Sequence, residues 1–123
     1  MITKEEAMKL SGLLFNAGDV FHIAHLTAKG EGSYARHSAL GDLYDAVRSG
    51  ADEITEMLYS YIGVYSFVIP VSEQREAVSF ARFLRARMVD SQKLLSSMPD
   101  VLNKWQEIMG IVSRGIYKLE NLK

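Results

Sequence analysis

The sequence contains no cysteine. That single absence excludes disulfide staples, thiolate metal sites and thiol nucleophiles, and it fits a reducing compartment. Proline and glycine are sparse, two and nine among 123 residues, which argues against a low-complexity or disordered chain. Neither charge sign is in excess: 14 Lys and Arg stand against 15 Asp and Glu, a net charge of −1. Such a balance supplies no general attraction to nucleic acid or to an anionic membrane. Long apolar runs are missing too. The longest, around Val64 to Val71, is broken by Ser66 and Pro70 and is too short to span a bilayer. Met1 to Lys9 is polar and mixed in charge, unlike a secretory signal. These absences predict one soluble, cytoplasmic domain over residues 1–123.

What remains is helical patterning. Thr3 and Glu6 have capping-box spacing. Behind them Leu10, Leu13, Leu14, Ala17, Val20, Phe21 and Ala24 recur every three or four residues, predicting helix 1 over about 4–28. After a short glycine-bearing turn with Ser33 as a cap, Leu40, Leu43, Tyr44, Val47, Ala51, Ile54, Leu58 and Tyr61 predict helix 2 over about 34–62. The interval is so brief that the two must form an antiparallel hairpin.

The stretch GVYSFVIPV has strand-like composition but no partner strand, so an apolar connection lying across the bundle is expected. Ser72 can cap helix 3, with Glu73 and Glu76 near its positive end. Its seam runs Ala77, Phe80, Ala81, Leu84, Met88, Ser91, Leu95 and Met98. Pro99 opens helix 4, which carries Trp105, Ile108, Val112 and Ile116. The expected fold is all-α, an antiparallel four-helix bundle. Met8, Met57, Met88, Met98 and Met109 read as core filler, and Tyr59 and Tyr61 as packing residues.

Function is concentrated between His25 and Glu56. His37 follows His25 by twelve positions, Asp52 follows by fifteen more, and Glu56 by four. Two imidazoles and two carboxylates suit a borderline metal such as iron or zinc. At 100° per residue Asp52 and Glu56 lie roughly 40° apart and over 100° from the centre of the apolar stripe. Each feature alone has a plainer explanation, a solvated acidic face or a surface histidine. Taken together, outward ligands can meet if a second copy covers the face. No histidine has a glutamate three positions before it, which disfavours a metal site inside one bundle.

The same residues, set in FHIAHLTAKG and LYDAVRSGADEITEML, resemble the Dps family, the mini-ferritins that protect DNA during starvation. The resemblance spans about residues 20–63. It implies a ferritin-like fold in which His25 and His37 are iron ligands from one subunit and Asp52 and Glu56 come from its twofold mate, with Glu56 bridging two irons. It further implies oxidation of ferrous iron by peroxide or oxygen, storage of ferric iron, and a homodimer or a larger shell. A competing reading is a non-enzymatic helical interaction module whose four ligands are idle or hold a structural metal. Nucleic-acid binding through Arg75, Arg82, Arg85 and Arg87, with Lys93 extending the stripe, is a third reading. Neighbouring acids favour a solvated face instead, so DNA binding is expected to be weak or absent.

Overall fold

The computed structural model describes residues 1–70 and 76–121. Four α-helices account for most of them: α1 (Lys4–Thr27), α2 (Ser33–Ile62), α3 (Ala77–Ser91) and α4 (Pro99–Asn121). A 3-10 turn, Gln92–Leu95, separates the last two. Among the described residues no strand forms, and no helix is long and apolar enough to cross a membrane.

Helix ends follow local chemistry. At α1 the capping box forms: Glu6 N–H donates to Thr3 Oγ1 at 3.1 Å, and Thr3 N–H donates back to Glu6 Oε1 at 2.9 Å. The turn between α1 and α2 places Gly30 and Gly32 at φ 95° and 75°, a left-handed conformation in which a Cβ would be strained. Gly32, not Ser33, occupies the cap position of α2, and no side chain caps it.

Two features of the α3 region differ from expectation. Ser72 and Glu73 lie outside the described residues, and α3 is capped by Glu76 itself, whose carboxylate accepts from Val78 N–H at 3.1 Å and Ser79 N–H at 2.8 Å. The helix also stops at Ser91 instead of continuing to Met98. Here the Gln92 backbone N–H bonds to Val89 O with the tighter 3-10 spacing, and the side chains of Ser91, Gln92 and Ser96 add donors to Arg87 O, Val89 O and Lys93 O. Pro99 also steers residue 98 away from helical geometry. Leu95 and Met98 nevertheless stay buried, so the seam outlives the helix.

Neighbouring helices run antiparallel. Ser11 Oγ lies 2.8 Å from Thr55 Oγ1 between α1 and α2. Gly50 faces Ile108, and Gly115 faces Leu43, between α2 and α4. Between α3 and α4, the indole of Trp105 donates to Met88 O at 2.8 Å, and Arg82 pairs with Glu120 at 2.6 Å. It follows that α2 and α3 point the same way, and the described part of the connection, residues 63–70, runs back along α1 rather than across the bundle as expected. Gly63 starts this return beside Lys4. Tyr65 and Phe67 turn inward, Phe67 stacking on Phe15 at 5.4 Å, while Val64 and Val68 face solvent. Glu76 ends the return against Arg36, near the other end of the helices, at 3.3 Å.

One cluster of buried side chains unites the helices, with Trp105, Phe21, Phe80 and Met88 among its largest members. Full burial of each such side chain contributes about 1.5–3 kcal/mol. Met98 joins Met88 inside, Met57 and Met109 pack at the edge, and Met8 lies on the surface, unlike the core filler expected. Tyr59 packs as expected, whereas Tyr61 is exposed.

Candidate metal centre

The α1–α2 turn brings His25, in the last turn of α1, against His37, in the second turn of α2. Their rings stack with centroids 3.7 Å apart and planes 24° apart. Each ring also reaches the other's main chain: His25 Nδ1 lies 2.6 Å from His37 O, and His37 Nδ1 lies 2.8 Å from His25 O. A carbonyl only accepts, so each Nδ1 carries the hydrogen and donates it. In the neutral ring Nε2 then holds the free lone pair. Metal-binding histidines are oriented by the same kind of second hydrogen bond. The bonds also serve the fold, because the last carbonyls of α1 have no helical partners and His25 O is one of them.

Two further rings border the pair. His22 stacks on Tyr44 at 4.2 Å with planes 18° apart, and its ring lies 6.4 Å from that of His25. Tyr44 in turn is 5.3 Å from His25. Helical spacing read Tyr44 only as part of the apolar face of helix 2 and gave His22 no role, although they sit seven after His37 and three before His25. It also passed over Gly41, which the His25 ring overlies.

Asp52 and Glu56 are exposed on α2, as their angular positions imply. They follow His37 by fifteen and nineteen residues, which puts them about 22 and 28 Å further along the helix. One chain cannot bring the imidazoles and these carboxylates together. Among the described residues no cluster of three or more His, Asp or Glu could hold a metal ion. The side chains of Asp52 and Glu56 have no hydrogen bond or ion pair among the described residues. Glu53 contrasts with them, since Lys104 Nζ lies 2.8 Å from its Oε2. That hydrogen bond holds the Lys104 ammonium above the usual lysine range.

A family model matches residues 25–119, from His25 itself to Leu119 in α4. The chain belongs to DUF5856, a family of unknown function. The DUF5856 span takes in both histidines, Gly41, Tyr44 and both carboxylates. No curated protein and no solved structure matches the chain.

The arginines of α3 are mostly engaged within the fold. Arg82 pairs with Glu120, Arg85 donates to Ser113 Oγ at 3.3 Å, and Arg87 lies over the Phe83 ring at 5.8 Å. Arg75 lies outside the described residues.

Proposed function

We propose that this DUF5856 protein is a Dps-like mini-ferritin that oxidises ferrous iron at a site shared by two copies and stores the ferric product. In this reading His25 and His37 of one protomer meet Asp52 and Glu56 of another across the α1–α2 face. The observation that carries it is the division of the donor set. The histidine pair already has its Nδ1 hydrogens committed, and two carboxylates with no partner among the described residues sit about 22–28 Å away on the same helix. An antiparallel pairing of two such faces lays each imidazole end over a carboxylate end.

The parallel course of α2 and α3, joined by one long return, supports a ferritin-like bundle, since such bundles have one crossover. Nitrogen and oxygen donors suit both iron states, and anionic carboxylates offset the added charge as iron becomes ferric. Each ferrous ion gives up one electron, and the oxidant, peroxide or oxygen, accepts it. By the Dps resemblance, Glu56 would be the ligand shared between two irons. The proposed setting is the cytoplasm, with DNA binding weak or absent.

Complementation tests the shared site. His37→Ala and Asp52→Ala proteins should each fail to oxidise ferrous iron alone. Mixed under verified subunit exchange, they should regain part of the activity, because in a mixed dimer one site carries both lesions and the other carries none. Activity that never returns would rule out the shared site.

A second reading is a helical interaction or structural protein. The reciprocal ring-to-carbonyl bonds favour it, because they give His25 and His37 a structural task without any metal. Wild-type protein that neither turns over ferrous iron nor retains it would decide for this reading.

A further inference from the structure

We infer that Gly41 is a positioning residue for His25, its missing side chain being the space that lets the imidazole present Nε2 to a divalent cation. The cation part of this inference rests on the metal-site reading above; the geometric part does not. Glycine within a helix is unfavourable relative to alanine, and Gly41 does not adopt the positive φ that would require it. Its reason must lie in what it faces. A Cβ at position 41 would come 3.0 Å from His25 Cε1 and 3.1 Å from His25 Nδ1. Gly18, on the facing helix, shows the contrast: a Cβ there would meet only Arg48 at an ordinary 3.6 Å.

The ring has little freedom to yield. Its stacking neighbour is the His37 ring at 3.7 Å, and its Nδ1 is tethered to His37 O at 2.6 Å. Any shift that relieves a methyl group at position 41 therefore stretches the tether or opens the stack. Once Nδ1–H loses its carbonyl, either ring nitrogen can hold the hydrogen, and the lone pair at Nε2 is no longer assured. Gly41 thus acts through His25 and touches no metal itself.

The test is Gly41→Ala in the full chain, with Co2+ as the probe. Long-range nitrogen NMR on metal-free protein should show His25 as the Nδ1–H tautomer in the wild type and a shifted or mixed tautomer in the variant. Co2+ affinity should fall about 10-fold or more, the usual size of losing an orienting partner. The melting temperature should change little, because the better helix propensity of alanine offsets the strained contacts at His25, and a merely structural glycine would not give that split. In a His25→Ala background, Gly41→Ala should raise the melting temperature and leave Co2+ affinity unchanged. An unchanged His25 tautomer with Co2+ affinity within twofold of wild type would overturn the inference. Should Gly41→Ala fail to fold, the double variant decides: its folding supports the inference, and its failure shows that Gly41 serves packing alone. Should wild-type protein bind no Co2+, the metal reading fails, while the tautomer measurement still decides the role of Gly41.

Discussion

The phenol of Tyr61 donates a hydrogen bond to Asp100 Oδ1 at 2.6 Å, joining the last turn of α2 to the first turn of α4. The bond stabilises the anionic carboxylate and the protonated phenol together. Accordingly it holds the Asp100 carboxyl below its ordinary 3.8 and pushes the Tyr61 phenol above its ordinary 10.0. An acid with a lowered folded value contributes stability above its unfolded value and loses it as pH falls through the folded one. A phenol with a raised value contributes below its unfolded value and loses it as pH rises. The contact therefore supports the fold between those two limits. In a Tyr61→Phe protein the Asp100 carboxyl should titrate closer to 3.8, read from its side-chain carbon shift by NMR. An unmoved titration would show that the bond does not persist in solution.

Glu76 caps α3 and also meets Arg36 on α2. Burial pushes its carboxyl up, but the N–H groups of Ser79 and Val78, the Ser79 hydroxyl and the Arg36 guanidinium outweigh it and hold the group below 4.5. Its contribution is present above that value and disappears as pH falls through the folded one. Glu76→Ala should cost about 1 kcal/mol at neutral pH, the usual scale of a lost cap. Urea unfolding near pH 7 and near pH 3 should show the gap between variant and wild type closing in acid.

Gly50 lets α2 and α4 approach. A Cβ there would lie 2.5 Å from Ile108 Cδ1 and 2.8 Å from Ile108 Cγ1, and Ile108 is buried. Gly50→Ala should destabilise by about 1–3 kcal/mol through overpacking, despite the better helix propensity of alanine. Trimming the obstructing methyl in a Gly50→Ala, Ile108→Val protein should return part of the loss. Two costs that simply add would show that the clash is relieved elsewhere.

Ser11, Thr55 and Tyr65 share a buried set of hydroxyls, with Ser11 Oγ 2.8 Å from Thr55 Oγ1 and 2.6 Å from Tyr65 Oη. Burial pushes the Tyr65 phenol up even though both hydroxyl partners favour its ionised form. Ser11 is the hub, so Ser11→Ala should cost more than Tyr65→Phe, about 1–3 kcal/mol, because it leaves buried hydroxyls without their shared partner. Denaturant midpoints of the two variants measured together would reverse this order if water replaces the hub.

Legibility in the sequence varied with the kind of signal. α1, α2 and α4 were readable because continuous helical spacing ran between recognisable punctuation: Thr3 with Glu6, Gly63 and Pro99. The start of α3 was not, since Ser72 is the better cap by residue type while Glu76 carries out the capping. The break after Ser91 was hidden because Leu95 and Met98 continue the apolar phase through a 3-10 turn. At the candidate centre, angular arithmetic placed Asp52 and Glu56 on the outer face. It could not find the ring-to-carbonyl bonds of His25 and His37 or the space at Gly41. Spacing says which residues share a face of one helix; it does not say which nitrogen meets which oxygen on the next.

Tyr65 needs a surface that neither α1 nor α2 provides alone, because Ser11 belongs to the first and Thr55 to the second. The hairpin of those helices closes over a short turn, whereas seating Tyr65 requires the hairpin to exist beforehand. Local contacts of low closure entropy form early, and contacts that depend on them form late. Docking of the return segment is thus expected after the rate-limiting step of folding. Tyr65→Phe should then speed unfolding while leaving the refolding rate nearly unchanged, a φ-value near zero in stopped-flow kinetics. The segment that joins the two helix pairs would be the last part of the molecule to arrive and the first to let go.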